Sequence, residues 1–109
     1  MMTKYGSGMS TRMVSNYLDA LVDRFYKILP MAENGEATLK QYLESLLREM
    51  LGARELVDFI RDDDRFLTLL ATVQYFIDND TEVSVVRTDV FRSIGILKKL
   101  KKKYAAVGR

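Results

Sequence analysis

Five of six consecutive positions near the C-terminus are lysine, Lys98, Lys99, Lys101, Lys102 and Lys103, and Arg92 lies a short way upstream. Ammonium groups at this density neutralise phosphates, release condensed counterions and make attachment salt-dependent. The same residues also suit the last turns of a helix, where cations complement the macrodipole and their stems cover apolar surface. The pattern admits both readings, and docking onto an acidic protein surface is a third. The balance of charge along the chain sharpens the first. From Arg87 onward eight basic residues face the single Asp89, a local charge of +7, while the preceding part carries −5 within an overall +2. A basic handle is attached to an acidic body.

Two carboxylate clusters invite metal chemistry. Asp78, Asp80, Glu82, Ser84 and Asp89 fall on positions one, three, five, seven and twelve of a calcium-binding loop. Position six is Val83 where the sharp turn demands glycine, and Asp89 is shorter than the bidentate glutamate the last position requires, so capping and solvation explain these groups better. Asp62, Asp63 and Asp64 read as a helix break and N-cap, since no phosphate-binding loop accompanies them. The chain has no histidine and no cysteine. Thiol nucleophiles, thiolate metal sites, disulfides and every arrangement with an imidazole base are therefore excluded. The expectation is a protein that is not an enzyme and carries no catalytic residues, metal, cofactor or small-molecule substrate.

The elements that position these groups follow from apolar spacing. Val14, Leu18, Leu21, Phe25 and Ile28 repeat at helical intervals after a cap at Ser10 or Thr11, and Pro30 is expected to end that helix. A turn at Glu33-Asn34-Gly35-Glu36 precedes a capping box of Thr38 and Gln41. The second helix then carries Leu39, Leu43, Leu46 and Met50, widened by Leu47 and Leu51, with Gly52 just past its end. A third, over Ala53 to Arg61, buries Leu56, Val57 and Ile60. The fourth runs from the aspartates to Ile77 and is apolar around most of its circumference, which predicts a central position. The last extends from Ser84 to Tyr104 with Val86, Val90, Ile94, Leu97, Leu100 and Tyr104 inward; Val83, Val85 and Val86 alternatively form a short extended piece. Gly95 costs this helix about 1 kcal/mol, so a closely approaching neighbour is expected there.

The fold class is therefore all-α, a compact bundle of four to five helices with mostly antiparallel neighbours. Residues 1–8 read as a flexible or linker-like tail, 9–105 as the single domain and 106–109 as a C-terminal tail. Tyrosines and phenylalanines lie mostly on the buried stripes and read as core rather than as base-stacking groups. Met31 and the outward side of Tyr42 are candidates for a self-association surface. A helix-turn-helix reading fails because the valine-rich start of the last helix would have to face the groove while its lysines sit at the far end. No stretch approaches a membrane span and no signal peptide is evident, so the expected compartment is the cytoplasm.

The run Met9 to Asp19, MSTRMVSNYLD, together with Tyr75-Phe76-Ile77-Asp78 and Val90-Phe91-Arg92, resembles small uncharacterised helical proteins of bacterial mobile elements and prophages. The resemblance implies an accessory role and transfers no site residues. The leading expectation is an interaction protein that binds a protein partner or itself, as a modulator encoded by a phage or mobile element. The alternative is nucleic-acid binding through Arg92, Lys98, Lys99, Lys101, Lys102 and Lys103.

Overall fold

The computed structural model describes residues 11–56 and 58–107, so the tail at 1–8, the capping role of Ser10, the burial of Leu56 and Val57 and the last two residues of the expected C-terminal tail lie outside the described residues, while positions 106 and 107 of that tail belong to the last helix. The elements are α1 (Thr11–Glu33), α2 (Leu39–Leu56), α3 (Asp58–Arg61), α4 (Asp64–Asp78) and α5 (Val83–Val107), with no strand among the described residues. The four long helices form an up-down-up-down ring: α1 packs on α5 and α2, and α4 on α2 and α5. Cross-links fix the directions. Lys101 meets Asp19, Phe91 meets Tyr26 and Arg87 meets Glu33, so residue numbers rise along α1 as they fall along α5. At the other seam, Lys103 and Tyr104 near the end of α5 meet Asp63 at the start of α4. The molecule measures 48 × 21 × 19 Å.

Apolar periodicity accounts for the core. Every stripe residue named for α1 is buried, as are Leu43, Leu46 and Met50 of α2, Ile60 of α3 and the whole inward set of α5. Removing side chains of this kind from water contributes about 1.5–3 kcal/mol each. Leu51 departs from the expectation and is 44% exposed, because it sits beyond the edge of the α2 face.

Several local signals yield to this packing. Pro30 lies inside α1 rather than at its end. Its missing N–H leaves the Tyr26 carbonyl without the usual donor, yet one further turn brings Ala32 against the core. The helix closes there through a Schellman motif. Glu36 N–H donates to the Met31 carbonyl at 3.0 Å and Gly35 N–H to that of Ala32 at 3.1 Å, with Gly35 at φ +62°. Helix α2 begins after Thr38 as the capping box suggests, but Thr38 acts through its carbonyl, which accepts from Tyr42 N–H at 3.0 Å; no side-chain bond links Thr38 and Gln41. Gly52 is within α2, which continues to Leu56, so the third helix shrinks to four residues. The valines that favour a strand start α5 as helix, since only a helix carries Val86 onto the stripe with Val90. Helix α4 is not central: it has two main neighbours like the others and leaves Leu67 and Tyr75 exposed. No heavy atom outside the helix's own backbone would lie within 4 Å of a Cβ at Gly95, so no neighbouring helix approaches it.

Candidate partner-binding surface

The polar groups of the bundle separate into those that fasten helices and those left outward. Asp63 is the chief fastener. Of the three consecutive aspartates it is the N-cap of α4, accepting from Arg65 N–H at 2.8 Å, and its other oxygen accepts from Lys103 Nζ at 2.9 Å and Tyr104 OH at 2.8 Å. Its side chain is only 6% exposed. Burial works to raise the Asp63 pKa, but the bonds from Lys103, Tyr104 and the Arg65 amide outweigh it, and the carboxyl titrates below its ordinary value. Burial and the bond to Asp63 push the Tyr104 phenol upward.

A second fastener joins α1 to α2. Arg24 donates from Nε to Tyr42 OH at 3.0 Å and pairs with Glu49, while Tyr42 OH donates to the Arg24 carbonyl at 2.8 Å. The Tyr42 hydroxyl is thereby turned to α1. The Tyr17 hydroxyl, buried nearby without a hydrogen-bond partner among the described residues, is pushed upward in pKa by burial and by Glu49.

The six basic candidates divide along the same line. Lys101 binds Asp19 at 2.9 Å across the α1–α5 seam, Lys103 belongs to the Asp63 cluster and also lies 5.3 Å from the Tyr104 ring centroid, and Arg92 pairs with Asp89 at 3.2 Å along its own helix. Lys98, Lys99 and Lys102 are exposed and make no ion pair with any described residue. Asp23 lines the groove beside Lys98 and Lys101 without pairing with either. At about 100° per residue, Phe91, Arg92, Gly95, Lys98, Lys99 and Lys102 share one arc of about 120° on the solvent side of α5. The arc spans about 17 Å along the axis from Phe91 to Lys102.

Sequence reasoning missed the aromatic part of this face. Phe91 is 51% exposed and Tyr26 41%, their ring centroids 6.2 Å apart in an edge-on arrangement at 76°. The signal was present, because Phe91 falls one residue off the Val86–Val90–Ile94–Leu97 stripe.

The carboxylate loops show no metal geometry: among the described residues no group of three or more His, Cys, Asp or Glu is placed to hold an ion. The loops at 34–38 and 79–82 instead border a cavity of about 450 Å³ at one end of the bundle, floored by Ile28, Leu43, Phe76 and Val86. Among the described residues no helix is long and apolar enough to cross a membrane. No family model, curated protein or solved structure matches this chain.

Proposed function

We propose that the protein is a non-catalytic helical interaction protein whose docking surface is the outward face of α5, and that what docks there is anionic. The observation that carries the reading is the division of the lysines. Lys101 and Lys103 are consumed in holding α5 to α1 and α4, whereas Lys98, Lys99 and Lys102 project from one face with no partner carboxylate among the described residues. Solubility and the macrodipole are served by any exposed cation, but three unpaired ammoniums beside an exposed phenylalanine also form a contact surface with charge at one end and an aromatic anchor at the other.

Two partners have the required chemistry. One is an acidic protein surface, which on the mobile-element resemblance belongs to host machinery modulated by a small accessory protein. The other is a nucleic acid, favoured by the aromatic pair beside the lysines. The reading is tested by affinity capture and by size exclusion with light scattering, comparing the protein with a variant in which Lys98, Lys99 and Lys102 are all glutamate. A partner held at low salt and lost in the variant is the expected result. A strict monomer that retains no anionic partner, or a variant that holds the same partner equally well, overturns it.

A further inference from the structure

Gly95 sits in the middle of α5 at a cost of about 1 kcal/mol relative to alanine. Its backbone is ordinary helix, and nothing beyond the helix's own backbone lies within 4 Å of where its Cβ would be. Neither strain nor internal packing therefore accounts for it. Its surroundings on the outward face do: Phe91 lies one turn before it, and Lys98, Lys99 and Lys102 follow within two turns.

Side chains on a helix lean toward its N-terminus, so a residue four positions on lies over the one before it. At position 95 any larger side chain would lean across Phe91. Glycine leaves the C-terminal side of the ring open, while Tyr26 packs against it edge-to-face, the ring centroids 6.2 Å apart. The result is a bare aromatic surface followed by a notch and then by three unpaired ammoniums.

We infer that the stripe Phe91, Gly95, Lys98, Lys99 and Lys102 seats a single-stranded nucleic acid, with a base stacked on Phe91 in the Gly95 notch and the neighbouring phosphates on the lysines. The inference rests on the anionic docking reading above and names its partner. A single strand separates the two chemistries the stripe offers, because its bases present neutral flat faces and its backbone presents charge. An acidic helix does not; carboxylates spread along it would meet the negative face of the Phe91 ring. A duplex hides its base faces in the stack, leaving only phosphates to bind. Lysines suit the phosphate role as compact point charges that need no fixed approach angle.

The test is a fluorescence-anisotropy titration of the full chain with a labelled oligothymidylate of about 12 nucleotides, an abasic strand of the same length, a duplex and polyglutamate. The oligothymidylate is expected to bind at least about tenfold more tightly than the abasic strand, as one stacked base allows. With three phosphates engaged, log K should fall with log salt at a slope of about −2. Phe91→Ala and Gly95→Leu should reduce the oligothymidylate to the abasic level, and changing Lys98, Lys99 and Lys102 to alanine should abolish binding of both strands. Gly95→Leu should do so while raising the melting temperature, which separates loss of the site from loss of the fold. Equal affinity for the two strands, or tighter binding of the duplex, overturns the stacked single strand and leaves anionic docking standing. Binding to polyglutamate alone moves the partner to an acidic protein. Failure to bind any of the four probes removes both readings.

Discussion

Gly52→Ala and Gly95→Ala should each stabilise the protein, and the size of the gain follows from where the two residues sit. Both lie inside long helices, at exposed positions where an added Cβ meets nothing within 4 Å. Overpacking is therefore absent, and what remains is the helix-propensity difference, about 0.8–1 kcal/mol per site, gained largely by restricting the unfolded chain. The sites share no neighbour, so the double variant should gain about 2 kcal/mol. For a domain of this size each kcal/mol raises the melting temperature by about 4–8 °C. Circular dichroism during heating and in urea measures both variants, with the urea midpoint moving upward and the slope unchanged because the buried surface is the same. Gly35→Ala provides the opposite sign in the same assay. At φ +62° a Cβ costs about 1 kcal/mol even in open space. If Gly95→Ala lowers stability, a neighbour must contact that face of α5 in solution and the bundle arrangement is wrong; if Gly35→Ala is neutral, α1 does not end in a left-handed turn.

Asp63→Ala should cost about 2–3 kcal/mol, from a lost cap and from a Tyr104 hydroxyl left without its acceptor, whereas Asp63→Asn keeps the cap and should cost less. Because the native Asp63 pKa lies below its ordinary 3.8, its contribution is complete above that value and is lost as pH falls through the native pKa. Urea unfolding from pH 6 downward should therefore show a fall in stability below about pH 4 that is smaller in Asp63→Asn. Adjacent residues in α4 should behave oppositely on truncation. Phe66→Ala, at a fully buried site, should cost about 3–5 kcal/mol, while Leu67→Ala, on the outer face, should stay within about 1 kcal/mol by urea denaturation.

Much of the fold is legible in the chain because apolar period is a property of each helix by itself. Leu18, Phe25, Leu97 and Leu100 recur at intervals that define one face whatever packs against it. The end of α1 was only half legible. Gly35 marked the turn by its type, but Pro30 pointed to an earlier stop, and whether a helix continues past a proline depends on what the next turn buries. Gly52 misled for the same reason, and the extended alternative for the α5 valines fails likewise: such local preferences amount to about 1 kcal/mol or less, and burial on the helical stripes outweighs them.

The lysine run shows where sequence stops. Composition determined that the C-terminal helix is basic, that no imidazole or thiol chemistry is available and that the body is acidic. Which lysines are free to meet another molecule was decided only when α5 was laid against α1 and α4. That step brought Asp19 to Lys101 and Asp63 to Lys103 across 82 and 40 residues of chain, while leaving Lys98, Lys99, Lys102 and Phe91 facing outward. Spacing along one helix fixes which side chains share a face; the charge that face retains depends on partners that are neighbours only in three dimensions.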